Sequence, residues 1–147
     1  MSFFSNIFGA TAEPITLSRE EAFVGTLFAV IAADGIITDE EVEDFFSVLK
    51  KAKVMQNVNN NQFKQIINKL QKVNRNHGAE ELVNRAAETL PAELRNGVFC
   101  IACDLVFSDG TASREEQEIL DLIKNKLQID DSLALKAAEI VIIKNRV

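Results

Sequence analysis

The stretch Asp34-Gly35-Ile36-Ile37-Thr38-Asp39-Glu40-Glu41 closes one apolar run and opens another. The same arrangement returns as Asp109-Gly110-Thr111-Ala112-Ser113-Arg114-Glu115-Glu116. In each copy an Asp-Gly pair stands where a helix must stop, because glycine past a helix end takes a positive φ without steric cost. A hydroxyl residue follows, with glutamate three positions later, the pattern of a capping box that starts the next helix. A chain that carries this joint twice is committed to two helix–turn–helix units. One internal repeat predicts two similar halves related by a pseudo-twofold, not a solenoid, which needs three or more units.

The periodicity around the joints agrees. An apolar run over 16–33 carries Phe23, Leu27, Phe28, Val30 and Ile31, with a capping-box start at Ser18-Arg19-Glu20-Glu21. It is apolar enough to lie near the centre of a core. The helix opened by Thr38 carries Val42, Phe45, Phe46, Val48 and Leu49 and fades near Lys53. The Asn-rich connector 56–61 leads to Phe63, Ile66, Ile67, Leu70 and Val73 at helical spacing, ending at Asn76-His77-Gly78. A shorter helix is predicted over 79–90. Pro91 opens the next, to Phe107 or Ser108, since proline suits a first helical turn. Ser113 caps a helix that turns Ile119, Leu120, Leu122, Ile123 and Leu127 inward, and Asp130-Asp131-Ser132 starts the last, with Leu133, Ala137, Ile140, Val141 and Ile143. The expectation is an all-α chain of about seven helices in one compact bundle, with an N-terminal segment at 1–16 and the domain over 17–147. Phe3, Phe4, Ile7 and Phe8 would share one face of a short amphipathic helix, docked on the core or turned to a partner or membrane surface.

Charge and cysteine usage narrow the function classes. The net charge is −6 and Lys and Arg form no dense patch. No nucleic-acid partner is expected, because phosphate contacts require clustered basic residues. The acidic balance leans to cations or basic partners. Cys100 and Cys103 lie inside the apolar run Val98-Phe99-Cys100-Ile101-Ala102-Cys103, and the single histidine, His77, sits in a polar linker far from them. The pair therefore reads as small buried residues on a helix face, in a reducing, cytoplasmic compartment. No apolar run reaches the length of a membrane span, and the first residues lack the positive region of a secretory signal.

The candidate chemistry lies in the repeated joint. Asp34 and Asp109 stand at helix C-termini, where the dipole disfavours an anion by a few tenths to ~1 kcal/mol. Asp104 lies within an apolar run, where a carboxylate must be solvated, paired or coordinated. Carboxylates brought together by two facing turns repel unless a cation neutralises them. A hard divalent ion with oxygen ligands is the natural partner: calcium or magnesium first, manganese or zinc next. Asp34-Gly35 through Glu41 matches the second half of an EF-hand loop. In the first half, Val30 and Ala32 (Leu105 and Phe107 in the second copy) occupy the positions of the first two Asp ligands. A self-contained EF-hand is excluded on ligand count, so an ion would be shared between the turns or bound with much water.

The duplicated motifs Ala33-Asp34-Gly35-Ile36-Ile37-Thr38-Asp39-Glu40-Glu41 and Ser108-Asp109-Gly110-Thr111-Ala112-Ser113-Arg114-Glu115-Glu116, in an all-helical chain of this length, resemble the tellurite-resistance TerB family from about Ser18 to the last residue. The resemblance implies a seven-helix domain with pseudo-twofold halves, an acidic cluster that binds divalent metal, and a role in tellurite or other stress responses. Its metal ligands would fall on Asp34, Glu41, Asp109 and Glu116, with Glu40 and Glu115 in second rank. The second copy departs from the commoner pattern at Thr111-Ala112, which predicts a looser turn. TerB-like domains also serve in proteins of quite different roles, so fold alone does not fix the biology.

The reading is thus a non-enzymatic, divalent-cation-binding TerB-like protein with a protein partner, at the membrane surface in one version. The alternative is an acidic protein-interaction module without a specific metal, marked by salt sensitivity and indifference to chelators. An enzyme ranks third. The sequence offers no nucleophile–base set, no Gly-rich phosphate loop, and no Glu-x-x-His pair of the kind a di-iron bundle uses.

Overall fold

The computed structural model describes residues 15–108 and 110–147. The N-terminal segment with Phe3, Phe4, Ile7 and Phe8 lies outside the described residues. Those described form six α-helices and no strand: α1 Arg19–Ile31, α2 Asp39–Leu49, α3 Asn60–Thr89, α4 Ala92–Val106, α5 Arg114–Lys126 and α6 Asp131–Lys144, with a 3-10 turn at Lys53–Met55.

The helix starts follow the residues that mark them. Ser18, Thr38 and Ser113 each accept a hydrogen bond from the backbone N–H three residues on, and Glu21, Glu41 and Glu116 bond back to the cap backbone. Asn59 and Gln62 make a fourth reciprocal box, so α3 begins inside the Asn-rich connector rather than at Phe63. Gly78, at φ 87° and ψ 165°, is not helical, so α3 is two helices joined at a kink, as expected over residues 63–76 and 79–90. Counting these arms separately recovers the expected seven. A helical residue with a Cβ does not adopt that φ cheaply, so the bend falls at glycine.

α1 is the central element, buried continuously from Ala22 to Val30. A helix apolar on every side has no solvent face and must be surrounded. Both arms of α3 wrap it, and α4 and α5 close the remaining sides. Gly25 sets the closeness of approach. A Cβ there would lie 3.1 Å from Leu70 Cδ2 on the first arm of α3 and 3.5 Å from Leu82 Cδ1 on the second. Thr26, the buried polar residue of α1, donates its hydroxyl to the Ala22 carbonyl at 3.0 Å. That meets the requirement that a buried donor be paired. α2 is anchored by aromatic packing, Phe63 of α3 lying 5.9 Å from the Phe45 ring and 4.6 Å from Phe46.

Candidate functional site

The described residues on either side of the two aspartates take similar backbone courses. The first ends α1 through Ala32 in a right-handed helical conformation, and the Gly35 N–H donates to the Ala32 carbonyl at 3.2 Å. The second ends α4 at Phe107, and the Gly110 N–H donates to the Phe107 carbonyl at 3.1 Å. Gly35 and Gly110 both have positive φ, 128° and 84°. Thr38 and Ser113, three residues on, are extended at ψ 162° and 163° before their helices begin. The repeat seen in sequence is therefore a repeat in backbone geometry.

The turns also meet. Ser113 Oγ donates to Asp34 Oδ1 at 3.0 Å, across seventy-nine residues of chain. That hydroxyl oxygen accepts the Glu116 N–H at 3.1 Å, and the Ser113 N–H donates to Glu116 Oε1 at 3.0 Å. Ser113 thus ties the aspartate of the first turn to the glutamate of the second. Asp34 is exposed and Glu116 half-buried. The Asp34 bond is charge-assisted, since a carboxylate accepts from a neutral hydroxyl.

Glu41 is differently engaged. It is exposed, and its Oε1 accepts from the Thr38 N–H at 3.4 Å and from the Thr38 hydroxyl at 3.1 Å. The Thr38 proton is turned to its own helix, where that of Ser113 crosses to the other turn. Asp34 and Glu116 are thus brought together through one residue, and Glu41 has no described bond to the second turn. Glu40 and Glu115 are exposed. Asp109 lies outside the described residues. Among those described, no group of three or more His, Cys, Asp or Glu side chains stands close enough to hold a metal ion.

The donor chemistry suits a hard cation. Asp34 and Glu116 present carboxylate oxygens on either side of the Ser113 hydroxyl. Calcium and magnesium take such oxygen sets and complete them with water. Basic residues are absent from the last turns of α1 and α4.

Asp104 is both paired and partly solvated, two of the three resolutions that its position allowed. Lys144 Nζ of α6 donates to its Oδ1 at 2.7 Å. The neighbouring Asn145 Nδ2 donates to the Phe107 carbonyl at 3.0 Å, satisfying one of the orphan carbonyls at the end of α4. The end of α6 therefore braces the second turn. Neither this brace nor the crossing role of Ser113 was read from the sequence. Serine at an N-cap does carry a signal for the latter, since its oxygen accepts from the backbone while its proton stays free to donate elsewhere.

Cys100 and Cys103 are free thiols on α4, half-buried and buried. Burial first, then the nearby Cys100 and Asp104, push the Cys103 thiol up to about 12. A thiol held protonated is neither a nucleophile nor a soft metal ligand.

A family model described as tellurite resistance protein TerB matches residues 20–138, which include both turns. No curated protein and no solved structure matches the chain.

Proposed function

Because the chain belongs to the TerB family of tellurite-resistance proteins, we propose that it is a non-enzymatic, divalent-cation-binding protein of the cytoplasm that acts in tellurite or a related stress response. The cation lies between the two turns, with Asp34, Glu41, Asp109 and Glu116 as its carboxylate ligands, and calcium or magnesium is the favoured ion. The observation that carries this reading is the Ser113–Asp34 bond at 3.0 Å. It holds an acidic residue of one turn against the start of the other, where Glu116 stands. Two anionic turns held in contact gain from a shared cation, because neutralising one carboxylate lowers the cost of the next. Gly35 and Gly110, at positive φ, supply the sharp backbone of the two turns.

The test is calorimetric titration of chelator-treated protein with calcium, magnesium, manganese and zinc, beside the Asp34→Asn/Asp109→Asn variant. Saturable binding that disappears in the variant is expected. Binding no stronger than the diffuse attraction of any acidic surface, equal in both proteins, would end the cation reading.

One observation favours a second reading, an acidic interaction module that meets a basic partner without a specific metal. Ile36, at the tip of the first turn, is 97% exposed. In this reading Ile36 would enter an apolar pocket of the partner while the acidic residues beside it face basic ones. Partner binding that survives chelators and weakens with salt would distinguish this reading. No described helix is long and apolar enough to cross a membrane.

A further inference from the structure

Exposed large apolar side chains are concentrated on α6. Leu135 is 61% exposed, Ile140 64%, Ile142 37% and Ile143 61%. Helical residues advance 100° each, so these four fall within one half of the helix, an arc of about 160°. Ala137 and Val141 point the opposite way, into the core. Lys136 and Glu139 share the exposed face, and neither forms an ion pair among the described residues. An apolar stripe holding an unpaired acid and an unpaired base is a surface made to be covered.

We infer that α6 is the interface of a symmetric homodimer, in which two copies of this helix pack antiparallel. The charges select the occupant. In an antiparallel pair centred on residue 138, Lys136 stands beside Glu139 of the partner subunit, within about one residue's rise of 1.5 Å. By the twofold, Glu139 stands beside Lys136 of the partner subunit. Leu135 falls within the same rise of Ile142 of the partner subunit on one flank, and Ile140 and Ile143 close the other. The face is complementary to itself in both charge and apolar pattern, as an isologous interface requires. A lipid surface fits it poorly: Glu139 sits at the centre of the stripe, and the chain carries a net charge of −6, which an anionic leaflet repels. The inference does not depend on the cation reading. One helix per copy makes a small interface, so the dissociation constant falls between roughly 1 µM and 1 mM.

Sedimentation of the full chain up to about 1 mM tests it, with helical content followed by circular dichroism. The wild type is expected to move from one to two chain masses as concentration rises. Leu135→Asp/Ile142→Asp stays at one chain mass with helical content unchanged, because both side chains are already outside the core. Lys136→Glu and Glu139→Lys each oppose like charges across the axis and are monomeric alone. Mixed one to one, they form the dimer again, since each supplies the charge that the other lacks. A wild type of one chain mass throughout would overturn the proposal, as would a dimer that survives Leu135→Asp/Ile142→Asp. Failure of the mixed charge variants to pair would overturn the antiparallel arrangement.

Discussion

Replacing Ser113 by alanine removes two interactions at once, and the structure allows them to be separated. The first is the N-cap of α5, in which the Ser113 oxygen accepts the Glu116 N–H at 3.1 Å. Losing a serine cap to alanine costs typically about 1 kcal/mol. The second is the bond to Asp34 across the turns. A hydrogen bond to a charged group is worth about 1.5–3 kcal/mol, and we take about 1 kcal/mol here because Asp34 is exposed and water replaces part of the loss. Ser113→Ala should therefore destabilise the domain by about 2 kcal/mol. That corresponds to a melting point lower by about 4–8 °C for a domain of this size. Thr38→Ala is the matched control, because Thr38 caps α2 in the same way but turns its hydroxyl to its own Glu41. It should cost about 1 kcal/mol. A double-mutant cycle on Ser113→Ala and Asp34→Ala, read by urea unfolding, isolates the crossing bond. A coupling of about 0.5–1 kcal/mol is expected, and the same cycle on Thr38 and Asp34 should give none. Equal stability losses at Ser113 and Thr38, with zero coupling in both cycles, would mean that the turns do not touch, and the reasoning from their contact would fail.

Gly35→Ala is expected to destabilise by about 1–2 kcal/mol through backbone strain alone, because φ is 128° while a Cβ would meet nothing within 4 Å; thermal unfolding measures it. Gly78→Ala should cost a similar amount, since Gly78 has φ 87° in equally open space. Phe63→Ala should cost about 3–5 kcal/mol in urea unfolding, as the ring is 1% exposed and packs on Phe45 and Phe46. In the folded protein near pH 8, alkylation followed by mass spectrometry should label Cys100 well before Cys103. The Cys103 thiol, raised to about 12, holds a thiolate fraction of roughly one in ten thousand at that pH. The lag should vanish in denaturant, and should shorten as pH rises toward the raised value.

How far the sequence carried the structure differs between elements. The capping boxes at Ser18, Thr38 and Ser113 were legible because each is complete within four residues. The burial of α1 was legible in Phe23 through Ile31, since a segment apolar on every side has one stable location. The break at Gly78 was legible as a helix end, since a glycine in a polar stretch signals loss of helical φ. That both arms then pack on α1 around Gly25 was not. In the candidate site, the local geometry of each turn was readable, including the positive φ of both glycines. Where each carboxylate points was not. Glu41 and Glu116 hold equivalent places in the repeat, yet only Glu116 is linked to Asp34, through a serine whose proton crosses between turns.

By itself the sequence determined the helical class, the joints, the duplicated turn and the central place of α1, because each follows from interactions reaching four residues or fewer, or from a solvent preference uniform along a segment. Tertiary structure alone decided that the turns meet at Ser113 and Asp34. It alone decided that Lys144 and Asn145 brace the second turn, and that Leu135, Ile140, Ile142 and Ile143 are left uncovered on α6. Those outcomes rest on pairings across thirty-eight or more residues, or on which face of a helix its neighbours leave open. No local periodicity encodes either one.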